Sequence, residues 1–346
     1  MKNADIQRIE KINPSKGVFN IRWRVTTLCN YQCAFCIQGD REEHLRQSEG
    51  ESARLRGRIC DAILELIERE GHRYRAIDLG LIGGEVTILK EFPDLLEKLA
   101  ASRYEGDLRF SITTNFSADP AYLRRMLDQF RRGAGTRRRK LSIQASFYSE
   151  YVTLEQFSQK LRELSACAGA EESPVQRLLG RLGMGKSCRV SLAAGIPIVD
   201  DGDFEEYVKT QDAFRDTQTQ IYPIIIRNYD TSLSPENLKR IIAREKGLLK
   251  VTDTEGGTSY FPSLKALGAA LDDTDSFCPT GYSCDAGIHN IWIDAFGNVK
   301  RCPALGSTMS MGNLLDGSFR LFETPQVCTS EHCRCGVYGK IEKKDS

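Results

Sequence analysis

The sequence predicts an α/β protein: a partial (βα)6 TIM-like barrel followed by a small cysteine-rich extension. Strand and helix patterns alternate between residue 18 and about residue 226, an order typical of parallel sheets and barrels. Cysteines and polar residues follow several of the predicted strands, where the functional loops of such folds gather. Beyond residue 250 the sequence becomes rich in Gly, Cys and turn residues and loses helical periodicity.

The first predicted strand covers residues 18–28, where Phe19, Ile21 and Trp23 alternate with polar residues. This period of two is typical of a strand. An apolar stripe then predicts a helix over residues 52–70. By the same criteria we expect strands at 76–82, 107–114, 140–147, 188–194 and 220–226, and helices near 92–101, 120–131, 154–166 and 203–215. Ser234 and Pro235 open a last helix, as N-cap and first helical residue.

These patterns divide the chain into three parts. Residues 1–17 form an N-terminal segment, residues 18–249 form the barrel domain, and residues 250–346 form a separate small module that depends on metal. Within this module, residues 291–299 predict a β-hairpin. Residues 168–186 read as a loop insertion to which the sequence assigns no role.

Charge and hydropathy exclude some classes of partner. The 346 residues include 48 basic and 47 acidic side chains, for a net charge of +1. This balance gives no global field that would attract nucleic acid or an anionic membrane. No segment reaches the roughly 18 apolar residues of a membrane span, and the N-terminus lacks the apolar core of a secretory signal. We therefore expect a cytoplasmic protein. The basic run at residues 137–140 is expected to form a solvated loop before a strand.

Twelve cysteines in a cytoplasmic chain indicate metal binding rather than disulfides. Cys29, Cys33 and Cys36 lie on one short loop just after the first predicted strand. Three thiolates leave the fourth iron of a cubane cluster without a protein ligand, which makes that iron available for chemistry. A zinc site is the alternative, but it requires four ligands, and His44 does not stand at a usual ligand spacing.

This loop, C-N-Y-Q-C-A-F-C, resembles the signature loop of the radical S-adenosylmethionine (SAM) superfamily. The resemblance implies a [4Fe–4S] cluster on Cys29, Cys33 and Cys36, with SAM chelating the open iron. It also implies that the reduced cluster cleaves SAM to a 5′-deoxyadenosyl radical, which abstracts hydrogen from the substrate. An electron donor such as a flavodoxin or a ferredoxin is the implied protein partner.

Residues at the ends of later strands resemble the rest of the cofactor site in that superfamily. Gly83, Gly84 and Glu85 resemble the Gly-Gly-Glu element that receives the amino group of the cofactor. Glycines let the backbone approach a ligand, and a carboxylate accepts hydrogen bonds from an ammonium. Asn115 and Ser146 resemble positions that hold the ribose and the methionine carboxylate. A plain strand-to-helix turn and ordinary polar strand ends are the alternatives.

The C-terminal region resembles the Twitch and SPASM extensions of the same superfamily. In these extensions a hairpin carries two ligands of an auxiliary [4Fe–4S] cluster, and Cys284, Gly297 and Cys302 resemble that opening. Two auxiliary clusters would require about eight sulfurs, whereas this region has six cysteines. We therefore expect one auxiliary cluster, with structural zinc as the alternative. Its expected ligands are Cys284, Cys302, Cys333 and Cys335, with Cys328 as a substitute for either member of the last pair.

Together, the resemblances imply a radical SAM oxidoreductase or isomerase. We expect it to abstract hydrogen from an unactivated C–H bond of a small polar substrate, such as a sugar, aminocyclitol or nucleoside, giving oxidation or epimerisation. Radical crosslinking or epimerisation of a ribosomally made peptide is the second hypothesis, and a non-enzymatic zinc or iron–sulfur protein is the third. An epimerase needs a hydrogen donor, for which Cys167, Cys188 and Cys278 are candidates. For the first two, a core or surface thiol is the default.

Overall fold

A computed structural model describes most of the chain. The described residues are 2–11, 17–33, 36, 41–169, 188–215, 219–225, 234, 236–237, 240, 249–261, 267–268, 270–271, 277–303, 310–331, 333 and 340–343. The chain divides into two compact units. The α/β unit comprises Trp23–Asn237 and Asp294–Phe296, and the antiparallel unit comprises Met1–Arg22, Leu238–Ile293 and Gly297–Ser346.

Strands alternate with helices over the first part of the chain, and short strands follow in the last part. The strands are β1 (Ile6–Lys11), β2 (Val18–Thr26), β3 (Ala76–Gly83), β4 (Asp107–Thr114), β5 (Arg139–Ser146), β6 (Cys188–Ile198), β7 (Gln220–Ile225), β8 (Leu249–Asp253), β9 (Thr258–Phe261), β10 (Tyr282–Cys284), β11 (Asn290–Ile293), β12 (Asn298–Lys300), β13 (Ser310–Asn313), β14 (Gln326–Val327) and β15 (Lys340–Lys343). The α-helices are α1 (Arg41–Gln47), α2 (Ala53–Glu70), α3 (Phe92–Ala100), α4 (Pro120–Ala134), α5 (Leu154–Gly169) and α6 (Asp201–Ala213). Short 3-10 turns lie at Asn3–Asp5, Gly71–Arg73 and Val86–Ile88.

The α/β unit contains a sheet in which β2 to β7 lie side by side in sequence order. The pairs from β3 to β7 are all parallel, and a helix from α3 to α6 connects each successive pair. This confirms the predicted α/β fold with a parallel sheet, whose sequential order is the one a partial barrel requires. The C-terminal ends of the parallel strands meet at one edge of the sheet.

Local sequence explains the boundaries of these elements. α2 begins after Ser52, whose hydroxyl accepts a hydrogen bond from the Leu55 N–H (3.1 Å). The predicted apolar stripe of α2, with Ile59, Ile63 and Leu66, is buried. The predicted bounds of most strands and helices in this unit agree with the structure to within a few residues.

The prediction that residues 137–140 form a solvated loop is wrong for Arg139. This residue begins β5 and is fully buried. Its guanidinium donates hydrogen bonds of 2.7–3.0 Å to the carbonyl oxygens of Ala100, Ser102 and Tyr104. Burial lowers the pKa of Arg139 to about 10. The side chain is accepted in the interior because its several N–H groups satisfy several carbonyls at once.

The antiparallel unit is built around a sheet with the order β14-β10-β15-β1-β8-β9. β1, which lies in the N-terminal segment, pairs with β15 on one side and with β8 on the other. The first strand of the chain is therefore central in this sheet. Ile6 and Ile9 of β1 pack with Val251, Phe277 and Ile341 in the core of the unit.

The hairpin predicted at residues 291–299 is confirmed, because β11 and β12 pair in antiparallel register. Gly297 lies in its turn with φ of 84°, a conformation that favours glycine, and β13 pairs with β12.

Farther upstream, the Asn237 N–H donates to Ser234 Oγ (3.3 Å), as expected of an N-cap. Pro235 and most of the predicted insertion, residues 170–186, lie outside the described residues. Within the described part of the chain, no helix is long and apolar enough to cross a membrane.

Candidate functional site

The cysteine loop begins just after β2. Cys29, Cys33 and Cys36 are each partly buried. The Cys36 N–H donates a hydrogen bond to the Cys33 carbonyl oxygen (3.0 Å). The Tyr31 N–H donates to Cys29 Sγ (3.4 Å), and a donor aimed at sulfur favours the thiolate.

The three sulfurs are close enough to influence one another's charge. Burial raises the pKa of Cys29 and raises that of Cys33 to about 12, and repulsion from neighbouring thiolates adds to both shifts. A cation held between the thiolates would remove this repulsion and displace the protons. Among the described residues, no three Cys, His, Asp or Glu side chains already stand in metal-binding geometry. The donor set still fits an iron–sulfur cluster, since three thiols on one loop leave one iron open.

The end of β3 lies directly on the chain that leads into the cysteine loop. The Gly84 N–H donates to the Thr26 carbonyl oxygen (2.9 Å), and the Glu85 N–H donates to that of Leu28 (2.8 Å). A Cβ on Gly83 would lie 2.2 Å from the Thr26 oxygen, and a Cβ on Gly84 would lie 2.1 Å from the Leu28 oxygen. Both positions therefore require glycine because two backbones meet there.

Glu85 is fully buried, and its carboxylate accepts four hydrogen bonds. The donors are the N–H and hydroxyl of Thr87, the hydroxyl of Thr114 and the N–H of Asn115. Burial raises the pKa of Glu85, and these donors oppose the rise. The carboxylate thus ties the end of β3 to the end of β4. Its contact with the amino group of a cofactor stays a prediction.

Asn115 connects the end of β4 to the cysteine loop. Its Nδ2 donates to Asn30 Oδ1 (2.9 Å) and lies 3.9 Å from Cys29 Sγ. Its Oδ1 accepts a hydrogen bond from the Ser117 N–H (3.0 Å). The predicted site residue Asn115 therefore does stand beside a predicted cluster ligand.

Phe116, the next residue, has a φ of 61°, a left-handed conformation that is costly for a bulky side chain. Lys160 holds it there, since its Nζ donates to the Phe116 carbonyl oxygen (2.6 Å) and lies 5.0 Å from the ring centroid. The Phe157 ring packs edge-on at 5.6 Å between centroids. Strain of this kind, maintained by its surroundings, is typical of functional sites.

Aromatic side chains cover one side of the cysteine loop, a feature that sequence reasoning missed. Tyr31 stacks on Tyr151, with centroids 3.9 Å apart and rings 7° from parallel, and meets Tyr148 edge-on. The Tyr151 hydroxyl accepts a hydrogen bond from the Gln32 N–H (2.6 Å). Ser146, at the end of β5, hydrogen-bonds to Tyr148. The end of β5 therefore contacts the cysteine loop through tyrosines.

A second buried carboxylate, also missed from the sequence, fixes the start of the loop. Glu51 accepts hydrogen bonds from the Thr26 hydroxyl (2.6 Å) and from the N–H and hydroxyl of Thr27 (2.8 and 2.7 Å). Arg56 Nη1 lies 3.1 Å from Glu51, and the two side chains are 8% and 2% exposed. This buried ion pair holds the end of β2 in place.

His44 lies against the cysteine loop, although its sequence spacing gave no sign of it. The residue belongs to α1 and is 4% exposed. Its Nε2 lies 3.5 Å from Cys36 Sγ. This contact places α1 beside the cysteine loop.

Cys167 and Cys188 lie far from the strand ends that carry the other candidates. Cys188 begins β6, about 23 Å along the strand from Gly195, which pairs with Ser146. Cys167 is near the end of α5, about 20 Å along the helix from Leu154. Neither thiol therefore lies at the strand ends that carry the other candidate residues.

Three of the expected auxiliary ligands lie in or against one hydrophobic core of the antiparallel unit. Cys284 and Cys302 are buried, and with the partly buried Cys333 they belong to one core. The Ala286 N–H donates to Cys284 Sγ (3.5 Å). Cys335 lies outside the described residues.

Cys278 and Cys328 lie on two segments of this unit that are hydrogen-bonded to each other. The Gly281 N–H donates to the Cys328 carbonyl oxygen (2.9 Å), and the Cys333 N–H donates to that of Phe277 (3.0 Å). This pairing associates Cys278 with the C-terminal cysteines, and its role as a hydrogen donor stays a prediction.

Part of the α/β unit matches the model of a known protein family. Residues 23–165 match the model of the Radical SAM superfamily. The match lies within the α/β unit and covers less than half of the chain. No curated protein sequence matches the chain.

The solved structures to which the chain is similar are remote in sequence, and the similarity in structure is weak. BtrN, in complex with AdoMet and 2-DOIA, is 11% identical, with a TM-score of 0.39 over 87% of this chain and 80% of its own. SuiB of Streptococcus suis, bound to the precursor peptide SuiA, is 11% identical, with a TM-score of 0.46 over 87% of this chain and 64% of its own. The chain thus covers less than two thirds of SuiB. Similarities this weak carry no argument about either fold or substrate.

Proposed function

We propose that the chain is a radical SAM enzyme whose Cys29, Cys33 and Cys36 hold a [4Fe–4S] cluster with one open iron. The observation that supports this most strongly is the contact of the cysteine loop with the ends of β3 and β4, made by the Glu85 N–H to Leu28 and by Asn115 to Asn30. A structural zinc loop has no need for polar strand ends around it. When bound, the cluster and SAM supply one-electron cleavage to a carbon radical.

The residues around the loop have separate roles in this proposal. Asn115 places an amide beside Cys29 and is available to the bound cofactor. Glu85 and Glu51, both buried, fix the backbone on two sides of the loop. Tyr31 and its stacked partner Tyr151 pack on one side of the loop, where the Tyr151 hydroxyl accepts a hydrogen bond from the Gln32 N–H.

We further propose a partial barrel with a Twitch-like extension that carries one auxiliary [4Fe–4S] cluster. The ligands would be Cys284, Cys302, Cys333 and either Cys335 or Cys328. The shared core of the first three and the N–H donor to Cys284 support this set. Such a cluster could accept an electron from a substrate radical.

The proposed reaction is oxidation or epimerisation at an unactivated C–H bond of a small polar substrate, such as a sugar, aminocyclitol or nucleoside. A ribosomally made peptide is the other substrate class to be tested. The two classes are separated by supplying unlabelled SAM together with a deuterated candidate substrate of each class. Deuterium should reach 5′-deoxyadenosine only from the true substrate, because the radical takes its hydrogen there.

The first experiment is anaerobic reconstitution, followed by iron and sulfide counting and by a search for 5′-deoxyadenosine after SAM and dithionite are added. We expect about eight irons per chain and formation of 5′-deoxyadenosine. The Cys33→Ala variant should abolish 5′-deoxyadenosine, whereas Cys60→Ala, in the buried face of α2, should not. Iron incorporation without any 5′-deoxyadenosine would contradict the proposal.

A structural zinc site is the second candidate, and the contact between His44 and Cys36 is the observation that favours it. Three thiolates and one imidazole would complete a tetrahedral zinc site. Protein purified with one tightly held zinc at the cysteine loop, which iron does not replace, would support this candidate and overturn the first.

A further inference from the structure

His44 is positioned to act on the proposed cluster without ligating it. Its Nε2 lies 3.5 Å from Cys36 Sγ, within the range of a hydrogen bond to sulfur. A metal-bound thiolate carries no proton, so the sulfur can only accept. In the loaded protein, the hydrogen of this contact therefore has to lie on Nε2.

The surrounding structure buries His44 and holds its backbone. His44 is 4% exposed, so its ring lies away from solvent. The Thr27 hydroxyl lies 3.5 Å from the His44 carbonyl oxygen and also donates to Glu51 (2.7 Å). Because Glu51 is held in turn by Arg56, α1 and the end of β2 are joined through one buried polar network.

Hydrogen bonds to cluster sulfurs and solvent exposure are among the factors that set the potential of an iron–sulfur cluster. A donor withdraws negative charge from sulfur and stabilises the reduced cluster, which carries one more electron. Arg24 is also close enough to Cys36 for their charges to interact, but its stronger charge partners are the carboxylates of Asp294 and Glu51. The His44 contact is therefore the direct donor on the side of Cys36.

We propose that His44 is a positioning residue that donates a hydrogen bond from Nε2 to the Cys36 thiolate and makes the open cluster easier to reduce. This inference rests on the proposed function. The step it assists is transfer of one electron from an external reductant, such as dithionite or a reduced flavodoxin, into the cluster, and no bond to His44 forms or breaks.

The test compares the reconstituted full chain with His44→Leu, His44→Gln and His72→Leu. Leucine removes the donor, glutamine retains an N–H donor at similar reach, and His72 is an exposed histidine that serves as the matched control. The midpoint potential is measured by a redox titration followed by electron paramagnetic resonance. The signal that shifts when SAM is added identifies the open cluster.

We expect His44→Leu to keep its iron while the equilibrium constant for reduction falls about tenfold, which corresponds to about 59 mV. His44→Gln should recover most of this loss, and His72→Leu should match the wild type. An unchanged potential in iron-loaded His44→Leu would overturn the inference. Iron loss from both folded His44 variants would also overturn it, since that is how a ligand behaves.

If His44→Leu does not fold, the wild type provides the answer. With only four histidines in the chain, ¹⁵N-histidine labelling gives few possible couplings to the reduced cluster. A weak coupling that disappears in His44→Gln supports the hydrogen bond, whereas a strong coupling typical of a direct Fe–N bond, or no coupling, overturns it. Zinc in place of iron in the wild type would refute the proposed function itself, and this outcome is seen without any His44 variant.

Discussion

Gly84 is a residue at which two backbones meet, with its N–H bonded to Thr26 and its Cα facing Leu28. Glu85, the next residue, has the opposite environment, because its charged side chain is buried and surrounded by donors. Each residue therefore has a structural reason for its identity that does not depend on a cofactor. Substitutions at these positions should change the stability of the apo protein as well as activity.

For Gly84→Ala we expect a loss of about 2 kcal/mol or more in the free energy of unfolding, because the new Cβ would meet the Leu28 oxygen at 2.1 Å. The matched control is Gly57→Ala in α2, where an added Cβ meets nothing within 4 Å. That variant should be more stable by about 0.5–1 kcal/mol. Denaturant unfolding of the apo protein measures both, and equal stability of the two variants would contradict the explanation.

Glu85 should make stability depend on pH. Because burial raises its pKa, the folded chain holds the proton more tightly than the unfolded chain does. Its contribution is therefore fully present below the ordinary pKa of 4.5 and is lost as the pH rises through the raised value. Glu85→Gln should remove this part of the pH dependence while costing about 1–3 kcal/mol, since an amide N–H₂ would face donors. Urea unfolding at several pH values tests this, and an unchanged slope would rule it out.

At the scale of elements, α1 and the residues after it brace the cysteine loop. Glu51 bonds the end of β2, and His44 contacts Cys36. Arg56 of α2 joins this brace to Glu91 before α3, with its Nη2 2.8 Å from the Glu91 carboxylate. The cysteine loop is therefore held in place by side chains of the helices that follow it as well as by the sheet.

Glu51→Gln should cost about 3 kcal/mol, because it leaves a buried Arg56 charge with less compensation. Glu91→Gln removes the other carboxylate partner of Arg56, but that side chain is 26% exposed and should cost much less. Thermal unfolding of the apo proteins compares them. Iron uptake should also slow in Glu51→Gln. Similar losses of stability in the two variants would contradict a larger contribution from the buried Glu51–Arg56 ion pair.

The antiparallel sheet depends on β1, which is one of its central strands. Ile9 is fully buried in its core, so Ile9→Ala should cost about 2–5 kcal/mol. Gln7→Ala, on the same strand but only partly buried, should stay within about 0.5 kcal/mol of the wild type. Limited proteolysis would locate the damage: early cleavage should appear within the antiparallel unit in Ile9→Ala, and cleavage elsewhere would contradict the prediction.

At the scale of the whole molecule, two groups of cysteines belong to two compact units. The α/β unit carries Cys29, Cys33 and Cys36, and the antiparallel unit carries the C-terminal cysteines. Each group has its own hydrogen bonds to sulfur, from the Tyr31 N–H in one and the Ala286 N–H in the other. Loss of one proposed cluster should therefore leave the other intact.

The double variant Cys284→Ala and Cys302→Ala should lower the iron content from about eight to about four per chain. Formation of 5′-deoxyadenosine should persist, because the remaining cluster is the one proposed to bind SAM. Oxidation of a substrate should fail if the auxiliary cluster accepts the electron. Iron counting and chromatography of 5′-deoxyadenosine measure the first two effects, and unaltered iron would refute the auxiliary ligand set.

Sequence by itself determined the repeated strand and helix pattern, the cysteine loop after β2 and the hairpin at residues 291–299, because periodicity and short motifs act over neighbouring residues. Tertiary structure decided what long-range folding brings together. β1 became a central strand, Arg139 became a core residue, and His44 came to lie beside Cys36. The physical reason is that a buried polar group must find its partners wherever the fold places them, and those partners follow no sequence spacing.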